Sequence, residues 1–118
     1  MPHYIVKPKA DENFYVDWST ITDCPAAWGT RDFLQNYYVG RGEEAHADQE
    51  RFDRADKTGS SSRIGDYGYD DTEFWIANVA EEDFIVDRYN LRAFCESWDG
   101  KTEGVYDKSL TRPVPTED

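Results

Sequence analysis

Residues 14–18 have the sequence FYVDW, in which large apolar side chains alternate with Tyr15 and Asp17. A period of two is the pattern of a β-strand that buries one of its faces. The run therefore predicts a strand that turns Tyr15 and Asp17 to solvent and buries Phe14, Val16 and Trp18.

A shorter strand is predicted over residues 4–6. The polar residues 8–13 between the two runs are typical of a turn, so the simplest connection is a hairpin. Pro25 is expected to break the chain before the next element, because proline fixes φ and lacks an N–H group.

Two helices are predicted next. Thr30 is a suitable N-cap for a helix over residues 30–39, and Gly40 stands where a C-terminal glycine is common. A more polar helix over residues 43–57 is expected to lie on the surface, because its apolar face is thin. That face consists of Ala45, Phe52 and Ala55.

The third quarter of the chain predicts two more strands, over residues 73–79 and 84–86, joined by a turn at residues 81–83. A last helix follows, with Asp87 or Asn90 as its N-cap and Gly100 at its end. Its apolar residues have the spacing i, i+3, i+4 and i+7, which places them on one helix face: Leu91, Phe94, Cys95 and Trp98.

The element order is thus ββ-αα-ββ-α, which predicts an α+β fold. We expect one domain over residues 1–110, in which a small antiparallel sheet of three to four strands packs with about three helices. Residues 111–118 contain two prolines and are expected to form a flexible C-terminal tail.

Composition limits the function. An aromatic content of 15% argues against a disordered chain. A net charge of −12 excludes binding to a phosphate backbone by bulk charge. The sequence lacks both a long apolar run and an N-terminal signal pattern, so a soluble cytoplasmic protein without membrane contact is expected.

Motifs for catalysis or metal binding are incomplete, so neither an enzyme nor a cofactor or metal is expected. His3 and His46 are isolated, and the sequence leaves open whether Cys24 and Cys95 are free or paired. Residues 56–59 read DKTG, the motif that is phosphorylated in ion pumps, but the preceding residues have a helical pattern where that chemistry needs a buried strand. An enzyme using Cys24 or a pair of acids ranks last among the alternatives.

The most informative feature is the distribution of charge. Residues 64–87 contain eight acidic residues and no lysine or arginine, and this −8 is two thirds of the net charge. Aromatic residues are interleaved with the acids, which suits a surface that attracts a basic partner. A solubilising acidic face or salt adaptation is the alternative explanation, and a divalent cation between the carboxylates is a weaker one. The predicted partner-binding residues are Asp66, Tyr67, Tyr69, Asp70, Asp71, Glu73, Trp75, Glu81, Glu82 and Asp83.

A second hypothesis is a small-ligand site at the serine- and glycine-rich residues 58–63. Backbone amides and hydroxyls of this run could hold the phosphate of a nucleotide or second messenger, in one chain or across an oligomer interface. The candidate residues are Arg54, Lys57, Thr58, Ser60, Ser61 and Arg63.

Two stretches of the chain resemble small uncharacterised accessory proteins of actinobacterial phages. The first, residues 14–34, reads FYVDWSTITDCPAAWGTRDFL, and the second, residues 51–62, reads RFDRADKTGSSS. A Phe-Trp-Ile strand and an Arg-Tyr-Asn-Leu-Arg helix start follow the second stretch. The resemblance implies a phage protein acting in the cytoplasm of an infected bacterium and assigns no catalytic residue.

These observations lead to the hypothesis of a non-enzymatic acidic protein that blocks a basic surface on a host nucleic-acid-binding or defence protein. DNA mimicry is the suggested mechanism, because alternate strand residues such as Asp71 and Glu73 lie about 6.6 Å apart, near the phosphate spacing of a nucleic-acid strand. No direct contact with nucleic acid is expected, and self-association stays open.

Overall fold

The computed structural model describes residues 3–20, 23–43, 47–64, 66–79, 82–98 and 107–114, with the side chains of 77–79 and 82 left out. A first antiparallel sheet has the order β1-β2-β3 and a second has the order β4-β5-β6. The strands are β1 (His3–Val6), β2 (Tyr15–Ser19), β3 (Cys24–Gly29), β4 (Glu73–Val79), β5 (Glu82–Asp87) and β6 (Thr111–Pro113). The helices are α1 (Arg31–Gly40), α2 (Gln49–Thr58) and α3 (Leu91–Ser97), and short 3₁₀ turns precede α3 and β6.

The α+β class is therefore confirmed, with strands and helices in roughly the predicted order. The single predicted sheet is instead two sheets of three strands each. None of the described helices is long and apolar enough to cross a membrane.

Strand β2 is buried on both faces, which corrects the prediction of one solvent-facing side. Phe14, Val16 and Trp18 pack into a core shared with the second sheet and α3, as the alternation predicted. Tyr15 packs on the opposite face against α1 and α2, in a second core with Ile5, Leu34, Tyr38, Phe52 and Ala55. Asp17 is also buried, and its carboxylate bonds to Nδ1 of His3 at 2.9 Å.

Pro25 does not break the chain but lies within β3. The strand is at an edge of its sheet, where the missing N–H of proline costs no ladder hydrogen bond. A register shift beside it, between Asp17 and Trp18, gives β3 one extra residue relative to β2.

The two middle helices cover the outer side of the first sheet. Helix α1 begins after Thr30, whose hydroxyl accepts a bond from the Phe33 N–H, as predicted. Helix α2 begins at Gln49, later than predicted, after the N-cap Asp48. Its Phe52 and Ala55 are fully buried while Glu50, Asp53 and Lys57 are exposed, which agrees with a surface helix with a thin apolar face; Ala45 lies outside the described residues.

The second sheet begins with the predicted hairpin of β4 and β5. Its third strand, β6, lies within the segment expected to be a flexible tail. Backbone pairing with β5 holds these residues in place, and Arg112 adds an ion pair to Asp87 at 3.1 Å. The predicted stripe of α3 is buried throughout, whereas Gly100 and residues 115–118 lie outside the described residues.

Candidate functional site

A groove of about 370 Å³ runs along β4, within the acidic segment singled out by the sequence. Three carboxylates and two partly or largely exposed aromatic side chains line it, together with the buried Phe74 and Ile76 of the strand. The carboxylates and rings belong to Asp23, Glu73, Asp83, Tyr67 and Trp75. Four of the ten predicted partner-binding residues thus share one site.

The alternation of β4 determines which side chains a partner can reach. Phe74 and Ile76 are buried in the core, whereas Glu73 and Trp75 point to the other face. The Trp75 side chain is 57% exposed, an unusual state for so large an apolar group. The strand therefore holds an aromatic anchor and a carboxylate on a rigid element.

Strand β4 lies at an edge of the second sheet. The backbone N–H of Arg88, at the end of β5, donates to the Thr72 carbonyl at 2.7 Å. Along an antiparallel ladder, every second residue pair is hydrogen-bonded. Phe74 therefore bonds to β5, whereas Glu73 and Trp75 direct their N–H and C=O groups away from it. Within the described part of the chain, no residue bonds to these edge groups.

The other wall of the groove is formed by two residues with positive φ, Asp23 at 52° and Tyr67 at 63°. The N–H of Tyr67 donates to Oδ2 of Asp71 at 2.8 Å, and its ring stacks on Phe74 with centroids 5.9 Å apart. Burial raises the pKa of Tyr67, although the Trp18 indole N–H opposes this, so the phenol is neutral at physiological pH. The strained backbone at Tyr67 is thus held by a fixed carboxylate and a packed ring.

Arg88 anchors the loop that carries Tyr67. Its buried guanidinium donates to six backbone carbonyls, drawn from the exit of β1 and from the loop after α2. The acceptors are Lys7, Pro8, Gly59, Tyr67, Gly68 and Asp71. Burial lowers the pKa of Arg88, but a guanidinium remains charged at any physiological pH.

Arg112 reduces the charge of the acidic segment, which the sequence did not predict. It pairs with both Glu73 and Asp87, which face each other across β4 and β5. Arg112 lies outside residues 64–87 in the sequence. The pairing of β6 with β5 brings it next to Glu73 and Asp87.

The remaining predicted partner-binding residues are dispersed. Asp66, Asp70 and Asp71 are exposed, but Asp71 is engaged by the Tyr67 N–H. Tyr69 points inward, because its hydroxyl donates to the Asp56 carbonyl at 3.0 Å. Glu81 and the Glu82 side chain lie outside the described residues.

The hydroxyls of the serine-rich loop take part in hydrogen bonds within the described part of the chain. Oγ of Ser61 accepts from the Ile5 N–H at 2.8 Å, and Oγ of Ser60 accepts from the Ser62 N–H. The Thr58 hydroxyl donates to carbonyls of its own segment. The Ser61 side chain therefore attaches the loop to β1, while the Ser60 and Ser62 hydroxyls accept bonds from within the loop.

The other predicted ligand residues divide between two places. Arg54, Ser61 and Arg63 line a second groove, of about 480 Å³, between α2 and the loop. Lys57 is exposed and does not line this groove.

A cluster around Asp56 was missed by the sequence, which treated DKTG as a chance match. The carboxylate accepts from Tyr15 Oη, from Lys7 Nζ at 2.9 Å and from Arg31 Nη1 at 3.3 Å. Burial raises the pKa of Asp56, but the bonds from Tyr15 and Lys7 and the charges of Lys7 and Arg31 outweigh this, so the pKa lies below its ordinary value. The cluster joins β1, β2, α1 and α2 at one carboxylate.

Cys24 and Cys95 are not joined by a disulfide. Burial raises the pKa of Cys95, which keeps that thiol protonated and unreactive. In the described ranges, no three His, Cys, Asp or Glu side chains are grouped so as to hold a metal ion.

Comparison of the chain with protein-family models, with curated proteins and with solved structures gives no match.

Proposed function

We propose that this chain is a non-enzymatic binding protein that captures a basic, extended segment of a partner at the outer edge of β4. The observation that carries the proposal is that the backbone groups of Glu73 and Trp75 on the outer edge bond to no described residue and lie beside the groove carboxylates of Asp23 and Asp83. An extended peptide binds to such an edge by completing the ladder, and its side chains supply the specificity.

Side chains alternate between the two faces of an added peptide strand, so its position on β4 determines which residue types fit. Residues opposite Glu73 and Trp75 lie on the exposed face, beside the carboxylate of Asp83. Lysine or arginine suits these positions, and an arginine can also stack on the Trp75 ring. The intervening residues face Tyr67 and Phe74 and are best apolar.

This proposal retains the blocking of a basic host surface and the phage context as parts of the hypothesis. DNA mimicry by Asp71 and Glu73 is the weaker form of it, since the first carboxylate binds the Tyr67 N–H and the second pairs with Arg112. Peptide capture needs only one face of β4 and its edge.

The experiment is a tagged pulldown from nuclease-treated actinobacterial lysate, with mass spectrometry of the eluates at low and high salt. Wild type is compared with Asp83→Lys, which reverses a groove charge, and with Asp11→Lys, an equal change at an exposed residue that does not line the groove. We expect a protein with a basic segment that wild type and Asp11→Lys capture, that Asp83→Lys loses, and that high salt releases. Equal recovery with all three baits, or none, contradicts the proposal.

Strand addition is tested with a peptide of the captured segment. N-methylation removes a backbone donor, so methyl groups at alternate residues that face β4 should abolish binding. Methyl groups at the intervening residues should leave the affinity within about twofold, a change of about 0.4 kcal/mol. An equal loss of affinity for the two sets of methylated peptides contradicts strand addition but not charge-based capture.

A further inference from the structure

The second groove, between α2 and the loop after it, has a charge opposite to that of the whole chain. Three arginines line it, two from α2 and one from the loop, and the carboxylates on its rim are Asp48 and Glu50. The local charge is therefore positive in a protein whose net charge is −12.

Two of these arginines are held in place by backbone carbonyls. Arg54 Nε donates to the Ser61 carbonyl at 2.9 Å, and Arg51 Nη2 donates to the His3 carbonyl at 3.2 Å. Arg54 also pairs with Glu50 at 3.1 Å, which partly neutralises that carboxylate, and a guanidinium has five N–H donors to share. Positive charge is thus fixed in position before any ligand arrives.

The carboxylates contribute less than their number indicates. Asp48 is engaged as the N-cap of α2, where its side chain accepts from the Glu50 N–H at 3.0 Å. Arg63 is exposed and forms no ion pair with any described residue. At physiological salt the Debye length is about 8 Å, so the distant acids of the chain are screened while Arg54 and Arg63 act at contact range.

Tyr4 and Ile64 add apolar surface to the groove, and Ile64 is 82% exposed. An exposed isoleucine beside arginines fits a ligand with both an apolar and an anionic part. The volume of about 480 Å³ lies within the range of small-molecule sites.

We infer that this groove binds a small phosphorylated molecule that carries a ring, the class of a nucleoside monophosphate. The phosphate lies between Arg54 and Arg63, and the ring lies against Tyr4 and Ile64. The site keeps Arg54 and Arg63 from the residues predicted by the sequence, adds Tyr4 and Ile64, and does not include Lys57. It is also independent of peptide capture at β4.

The test is calorimetric titration of the full chain with adenosine 5′-monophosphate and, separately, with adenosine, in physiological salt. We expect the monophosphate to bind at least about tenfold more tightly than the nucleoside, since charge-assisted bonds to the phosphate are lost without it. Arg63→Glu should remove this preference. The change is at an exposed residue, so the melting temperature should be nearly unaltered.

Lys57→Glu is the matched control, because it makes the same charge change at an exposed residue of α2 outside the groove. We expect it to alter the affinity less than about twofold. Equal binding of monophosphate and nucleoside, no binding of either, or equal losses in the two variants would overturn the inference.

Discussion

At the residue scale, Asp56 shows how one carboxylate stabilises the packing of the helices on the first sheet. Its side chain is 38% exposed, yet it bonds to Lys7, Tyr15 and Arg31 from three other elements. A partly exposed ion pair contributes little, but several charged hydrogen bonds to one group contribute more. The DKTG tetrapeptide therefore has a structural explanation in this fold.

We predict that Asp56→Asn lowers the free energy of unfolding by about 1–2 kcal/mol at neutral pH. The pKa of Asp56 is lowered in the folded state, so its contribution is complete above the unfolded pKa of about 3.9 and is lost as pH falls through the folded pKa. Urea unfolding should show the difference between variant and wild type constant from pH 7 to 5 and shrinking below about pH 4.

Asp53→Asn is the matched control for Asp56, since Asp53 also pairs with Arg31 but is 59% exposed. Its effect should stay below about 0.5 kcal/mol. A larger loss from Asp53→Asn than from Asp56→Asn would contradict the role of the cluster.

At the scale of elements, the loop between α2 and β4 owes its shape to Arg88, which reaches it from the end of β5. Gly59 permits this approach: its φ is 96°, and a Cβ there would lie 2.6 Å from the Arg88 guanidinium. One buried cation thus replaces the regular hydrogen bonds that a loop lacks.

We predict that Arg88→Lys lowers the free energy of unfolding by more than about 3 kcal/mol, because an ammonium has three donors where the guanidinium serves six carbonyls. Hydrogen exchange should show the loop amide of Tyr69, which donates to Thr58, losing protection. Arg92→Lys on α3, where Arg92 pairs with Glu12 and Glu96 and lies over the Phe14 ring, should cost less than about 1 kcal/mol, because lysine keeps the charge. Similar losses at the two positions would refute the anchoring role.

The local elements were largely predictable because caps and periodicity are local signals. Thr30 and the stripe of α3 gave correct helix positions. The burial of Tyr15 could not be predicted locally, because it depends on α1 and α2 covering β2. The prediction of a chain break at Pro25 was wrong because a proline disrupts hydrogen bonding in a central strand but not in an edge strand. The position of a strand in its sheet is not a local property of the sequence.

At the scale of the whole molecule, charge is segregated among grooves. The acidic groove at β4 contains four residues expected from the sequence, because charge density along a hairpin remains local when the hairpin folds. Its neutralisation by Arg112 and the positive groove beside Arg54 depend on residues distant in sequence. Counting charges along the chain cannot detect such pairings.

We predict that added salt stabilises the protein, because a net charge of −12 creates repulsion that ions screen. The melting temperature should rise by about 4 °C, or about 1 kcal/mol, between about 0.02 and 0.5 M sodium chloride. A variant with Asp11, Asp66 and Asp70 changed to asparagine should show a smaller rise, since all three are exposed. A melting temperature that falls with salt would mean that ion pairs outweigh the repulsion.

The contacts of Arg88 also determine when the protein can fold during synthesis. The exit of β1 is bonded to a side chain 81 residues later, and the Ile5 amide to one 56 residues later. A nascent chain that has completed only the first three strands lacks both partners, so these two bonds form only after Ser61 and Arg88 have left the ribosome. Long-range closure of this kind slows folding, so we expect this chain to fold more slowly than a helical bundle of its size.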